Sequence, residues 1–273
     1  MGRPKKPTVA DAVDFWVQAK LRSGPIGATS VHFAERFRNK MGDRKVMELT
    51  GADLMAYVDR GQGAPAQRRE INTVKSIVNY YRKIAAHDQP IYVDRPRDNP
   101  GRMRWLTEQE RDQFIEAVPD EMRPLVVALF YTGARKGELV NLKPENVVYG
   151  DRLLRLRTIK GKRAEERWRT VPIHDRLWPY VEGTENEQLV FAGPDGKPWD
   201  SGAFRDGWWQ TVVGLGWSDL KPHDARHTFA SLLVKQGVGL RTVADLLGHS
   251  TMAMVMRYTH VDVEDNRSAV LTL

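Results

Sequence analysis

The chain has 273 residues, 42 Lys and Arg against 35 Asp and Glu for a formal net charge of +7, and no cysteine. That length suits one large domain or two smaller ones, and the missing thiols exclude disulfides, cysteine nucleophiles and Cys-based zinc sites. The basic balance points to a polyanion, nucleic acid first. No apolar run approaches the roughly 20 residues of a membrane span. The opening Met1-Gly2-Arg3-Pro4-Lys5-Lys6-Pro7 lacks the apolar stretch of a signal peptide, so a cytoplasmic protein without a membrane partner is expected.

In chain order, residues 1–8 form a basic tail, read as a solvated tail in preference to an arm in the minor groove. Residues 9–87 read as helical. Asp11 to Val17 opens an amphipathic helix, Thr29 or Ser30 is placed to cap a second through Arg38, and Thr50 precedes a short third ending near Gly61. The longest, Ala66 to Ala86, sets Ile71, Val74, Ile77, Val78 and Tyr81 at helical spacing. Basic residues share it. Such charges are ordinarily a solvated face, but in this chain Arg68, Arg69, Lys75 and Arg82 become candidates for phosphate contacts. Residues 88–103 carry three prolines and no periodicity, as a linker would. Arg102 within them is a further DNA-contact candidate.

Residues 104–273 read as a second domain of mixed α/β character. Thr107-Glu108-Gln109-Glu110 is a capping-box pattern, and Met122 to Tyr131 is an apolar helix. Leu153 to Arg157 and Trp168 to Ile173 look like strands, with Lys160 to Arg167 as the turn. Helical character resumes from Ala203. Gly193-Pro194-Asp195-Gly196-Lys197 lacks the spacing of a phosphate loop and reads as a turn. Trp208 and Trp209 are expected in the core. The fold class is mainly α with a small β-sheet.

Four segments carry chemistry: Thr132-Gly133-Ala134-Arg135-Lys136-Gly137-Glu138-Leu139, His223-Asp224-Ala225-Arg226-His227, Leu247-Gly248-His249 and Arg257-Tyr258-Thr259-His260. Together they hold what a phenol needs to attack a phosphodiester. The phenol, with an ordinary pKa of about 10, must lose its proton. Charge gathering on the phosphoryl oxygens calls for arginine forks, and the leaving oxygen needs a general acid. The rival reading, His223 and His227 as a zinc pair, lacks the required glutamate and has an arginine inside the motif. No metal or cofactor is expected.

In order and spacing these segments resemble the tyrosine recombinase (phage integrase) family, over residues 104–273. The resemblance implies a helical core-binding domain followed by a catalytic domain. It implies Arg135, His223, Arg226 and His249 around the scissile phosphate, Tyr258 as nucleophile and Glu138 as support. The family's catalytic lysine precedes an Arg-x-Val-Pro strand, here Arg169-Thr170-Val171-Pro172. That gives Lys160, with Lys162 as the alternative, as general acid. The implied partners are duplex DNA recombination sites, three further copies in a tetramer on DNA, and accessory DNA-bending or directionality proteins, in a nucleoid-associated setting. The apolar end Ala269-Val270-Leu271-Thr272-Leu273 is expected to dock on a neighbouring copy. The alternatives are DNA relaxation of the type IB topoisomerase kind and a noncatalytic DNA-binding relative.

Overall fold

Capping chemistry sets the first helix start. Thr8 Oγ1 accepts from the Asp11 amide, and the Asp11 carboxylate accepts from the Thr8 amide, so α1 runs Val9–Leu21; a cap of this kind is worth about 1 kcal/mol. The computed structural model describes residues 7–58, 63–86, 89–93, 103–160, 165–249 and 251–261. The basic tail before residue 7, Gly61, Arg102, Lys162 and the apolar end lie outside them. The chain divides into two compact units, Met1–Gly101 and Arg102–Leu273.

In the first unit α2 spans Ala28–Met41 and starts from Gly27, without a side-chain cap. Thr29 and Ser30, expected as caps, lie inside its first turn instead. Glycine serves almost as well as a capping side chain at that position. Thr50 does cap α3 (Gly51–Tyr57), through a second reciprocal box with Asp53. The long α4 (Ala64–Ile84) buries the expected stripe of Ile71, Val74, Ile77, Val78 and Tyr81. It packs on α1, α2 and α3. Ile91 and Val93, inside the stretch read as linker, are buried in this core too.

Arg82 is a correction to the DNA-contact list. Its side chain is buried, and its guanidinium donates to the carbonyls of Met47, Leu49 and Gln89 at 3.1, 2.7 and 3.1 Å. Those bonds tie α4 to the segment before α3, and they leave the guanidinium turned inward. Arg82→Ala should therefore destabilise the first unit by about 3 kcal/mol, because buried carbonyls lose charged donors. Urea unfolding followed by circular dichroism measures this. An unchanged midpoint would sink the structural role.

The second unit holds α5 (Glu108–Ala117), α6 (Arg123–Thr132), α7 (Lys136–Leu139), β1 (Val147–Val148), β2 (Leu153–Lys160), β3 (Glu165–Pro172), α8 (Ser201–Gly214), α9 (Asp224–Lys235) and α10 (Leu240–Leu247). Two 3₁₀ turns follow, Met252–Met254 and Met256–Val261. Thr107 and Glu110 form the expected box at the start of α5. The mainly helical unit with one small antiparallel sheet, ordered β1-β2-β3, is the expected fold class. The hairpin is tighter than expected: β2 reaches Lys160, which pairs with Glu165.

Strand alternation decides which residues face inward. Leu154, Leu156 and Val171 are buried, and Leu156 sits opposite Arg169 in the register. Trp168 points outward and is 52% exposed. Phe114, Phe130 and Trp208 pack their rings together, with Phe114 and Trp208 centroids 4.5 Å apart, between α5, α6 and α8. Each such pair adds about 1 kcal/mol to simple burial. Trp208 is core as expected, whereas Trp209, one residue on around the helix, is half exposed. Gly196 has φ +73, and the segment Gly193 to Lys197 closes a turn on itself.

Candidate active site

Two left-handed glycines aim the site. Gly133 ends α6 at φ +60, where a Cβ would come within 2.4 Å of Phe229 and 2.9 Å of Leu247. Only glycine satisfies both the dihedral and the close approach. The chain then turns so that Arg135 begins α7. Glu138 closes a box on it: the Arg135 amide donates to Glu138 Oε2 at 2.9 Å and Arg135 Nη1 donates to Oε1 at 3.0 Å. Arg135 keeps one third of its side chain exposed. It can therefore still reach a ligand.

Glu138 is itself buried. Thr158 Oγ1 donates to its Oε1 at 2.6 Å, and Arg169 donates to both oxygens at 3.1 and 2.6 Å. Burial alone would raise its pKa. The hydrogen bonds and charge of Arg169, with the Thr158 hydroxyl and the Arg135 amide, overcome that and hold it at about 2.

His223, Arg226 and His227 lie on the first turns of α9. Arg226 is buried, and its guanidinium donates to the carbonyl of Gly133 at 2.8 Å and to that of Leu247 at 2.6 Å. One residue thus links the α6–α7 turn to the end of α10. There Gly248, at φ +65, lets the His249 amide donate back to the Ala244 carbonyl at 3.0 Å, the glycine-terminated helix end that throws the next side chain off the helix. His249 borders a cavity of about 290 Å³ with Thr158, Arg167, Trp168, Arg169, Asp245 and Gly248.

Tyr258 lies in the second 3₁₀ turn, buried with Ala230, Val243, Ala244, Leu247 and Val255 against α9 and α10. Its hydroxyl is 2.9 Å from His227 Nδ1. The His227 ring in turn meets His223 edge-on at 4.9 Å. Burial raises the phenol's pKa, and the charges of Arg226 and Arg257 oppose that rise. Burial also lowers His223, with Arg226, Arg135 and Arg257 adding to the effect. His227 falls further, from 6.5 to about 4, through burial and then the neighbouring His223, Arg257 and Arg226. Perturbed groups gathered this way mark functional sites.

The His227 shift has a measurable sign. Between about pH 4 and 6.5 the unfolded chain binds a proton on His227 that the folded chain refuses. Folding stability must rise with pH across that window. His227→Asn should make the slope of unfolding free energy shallower there, while leaving the part owed to His223. Denaturant titrations from pH 4 to 7 read this directly. Identical slopes for the two proteins would refute the assignment.

Of the expected site residues, the fold brings Arg135, Glu138, His223, Arg226, His249 and Tyr258 to one region of the second unit. Lys160 is the last residue of β2; its side chain and the whole of Lys162 lie outside what is described. In the first unit Arg69 is exposed on α4, Arg68 is half-buried, and Lys75 lies 5.6 Å over the Tyr92 ring. Two residues at the site were not expected. In the sequence His227 enters only as a zinc ligand, although its spacing of four from His223 puts both on one helical face. Arg169 enters there only as a strand marker, although its two-residue spacing from the apolar Val171 and Ile173 puts it on their inward face.

The sequence pattern of the phage integrase family matches residues 104–265. The tyrosine recombinase XerD of Staphylococcus aureus is 29% identical over 277 residues, covering 90% of each chain. The tyrosine recombinase XerA of Pyrococcus furiosus is 25% identical over 235 residues, covering 81% of this chain and 80% of its own. The Tn1549 transposon integrase, solved in complex with a circular intermediate DNA, shares the fold with a TM-score of 0.75 at 14% identity, over 97% of this chain and 99% of that one. The chain belongs to the phage integrase family, the tyrosine recombinases.

Proposed function

We propose that this chain is a site-specific DNA recombinase that cleaves and rejoins duplex DNA, with Tyr258 as the nucleophile. The observation that carries the reading is the convergence of a buried tyrosine hydroxyl, two histidines and the guanidinium groups of Arg135 and Arg226 on one cationic recess. Arg135 and Arg226 would grip the nonbridging oxygens of the scissile phosphate as charge develops there. His223 and His227, both held neutral near pH 7, can take the phenol's proton. His249 would add a donor to the phosphate. Lys160, or Lys162, would protonate the departing 5′-oxygen.

The bond formed is a 3′-phosphotyrosine, which keeps the energy of the broken linkage. Religation to a second strand follows without ATP. Recombination between two sites would pass through a Holliday junction held by four protomers. Arg68, Arg69 and Lys75 remain candidates for phosphate contacts in the first unit, and such contacts would make affinity fall steeply with salt. Accessory DNA-bending or directionality proteins would act on the assembled complex.

The test is incubation with nicked or junction DNA from the region flanking the chain's own gene, without metal. A denaturant-resistant protein–DNA adduct, followed by strand exchange between two sites, supports recombination. An adduct with relaxation of supercoils and no exchange would support a topoisomerase instead. Tight binding without an adduct would leave a DNA-binding relative.

A further inference from the structure

We propose that Arg169 is a positioning residue of this site: by gripping both oxygens of Glu138 and the carbonyl of Leu246, it keeps Arg135 available to the phosphate and fixes the turn that carries His249. The role rests on the recombinase reading above.

The geometry leaves Arg169 little else to do. Its side chain is 8% exposed. Nη2 donates to Glu138 Oε2 at 2.6 Å, Nη1 donates to Glu138 Oε1 at 3.1 Å and to Thr158 Oγ1 at 3.2 Å, and Nε donates to the Leu246 carbonyl at 2.8 Å. With Nε, Nη1 and Nη2 all donating inside the protein, its influence on the substrate runs through Glu138 and the end of α10.

Two consequences follow from charge and from packing. Glu138 carries one negative charge between two arginines. With Arg169 forked on both of its oxygens, the carboxylate is largely neutralised before Arg135 is counted, so the positive charge of Arg135 is left over for a phosphoryl oxygen. Remove Arg169, and Arg135 is left as the ion-pair partner of the buried carboxylate. Arg135 is then drawn back from the ligand.

The packing consequence concerns α10. The Leu246 carbonyl accepts from Arg169 and the next carbonyl, Leu247, accepts from Arg226. A Cβ on Gly248 would come within 3.0 Å of Arg169 Cδ, so the arginine stem lies against the turn leading into His249. These bonds close a ring. It runs from Arg135 through Glu138 and Arg169 to the end of α10, then through Arg226 to the Gly133 carbonyl, two residues before Arg135. The two arginines thus connect α7, β3, α9 and α10.

The experiment compares single-turnover adduct formation and DNA affinity for the parent, R169M, R169K and the double variant E138Q/R169M, on the nicked DNA described above. R169M should bind DNA as the parent does and form adduct on the order of 100-fold more slowly, the size expected when a reacting group is misplaced by about an ångström. R169K keeps the charge but not the fork and should lose roughly tenfold, consistent with bidentate geometry being the point. The double variant is the decisive arm. Neutralising the stranded carboxylate releases Arg135, so E138Q/R169M should cleave roughly tenfold faster than R169M, a coupling typical of residues in one network. An arginine that served only the fold would show no such rescue.

Should R169M fail to fold, R169K and E138Q/R169K carry the same comparison. R169M cleaving at the parent's rate would overturn this role alone, as would a slow R169M that E138Q does not rescue. A parent that forms no adduct would overturn the recombinase reading, and this role with it.

Discussion

Tyr258→Phe is expected to eliminate the covalent protein–DNA adduct and leave noncovalent DNA binding intact. The substitution removes one oxygen and nothing else that the fold depends on. The ring is 1% exposed and fills a pocket of Ala230, Val243, Ala244, Leu247 and Val255, and phenylalanine keeps all of that packing. The lost bond to His227 costs about 1 kcal/mol, which a folded domain tolerates. Adduct is therefore a clean readout, since the variant stays folded and on the DNA. Gel analysis under denaturing conditions, with labelled nicked substrate, makes the measurement. An adduct of undiminished yield from the phenylalanine protein would mean that another residue attacks, and the assignment of Tyr258 would fall.

The stowed position of that hydroxyl explains why the other histidine at the site went unseen in the sequence. His223 was legible because a His-x-x-Arg pair carries a known pattern. His227 follows the arginine directly, and only the 3₁₀ turn bearing Tyr258 shows what it faces. That turn reaches α9 across 31 residues of sequence, a contact no local periodicity encodes. Glu138 was legible as a support three residues from Arg135. Its second arginine was not, because Arg169 comes from a strand and the pairing spans 31 residues as well.

Local signals served well where local physics dominates. The boxes at Thr50 and Thr107 set helix starts as their spacing required. The stripe on α4 went inward as its period demanded. Arg82 breaks that rule in an instructive way. It sits next to Tyr81, beside the buried stripe, and a long basic side chain there reads as a candidate phosphate contact. Carbonyls at the start of α3 gave it partners, and partners make burial of a charge tolerable. The helix at Gly27 is the reverse case, where a residue without a side chain took a place that hydroxyls were expected to fill.

Arg226→Gln should separate catalysis from stability, because the fold places this cation where it is poorly compensated. The side chain is 2% exposed, and burial followed by the charges of Arg135 and Arg169 pushes its pKa down to about 10, with Glu138 only partly opposing. Glu138 alone cannot neutralise three guanidinium groups. Removing one relieves repulsion, and that relief offsets the loss of the bonds to the Gly133 and Leu247 carbonyls, one of which the glutamine amide can replace. The melting temperature of the DNA-free protein should therefore move little.

Cleavage should fall by about 10²–10³, the loss usual when one preorganised donor to a developing oxyanion is deleted. The rise in melting temperature on adding DNA should shrink as well, since the phosphate no longer meets the cation it relieves. Thermal melts with and without DNA, beside single-turnover cleavage, separate the two effects. A variant that unfolds far below the parent yet cleaves normally per folded molecule would show that Arg226 is a staple for α10 and not a phosphate ligand. A variant that folds normally and cleaves poorly would show a site built with excess positive charge, a strain accepted in the free protein because the substrate removes it.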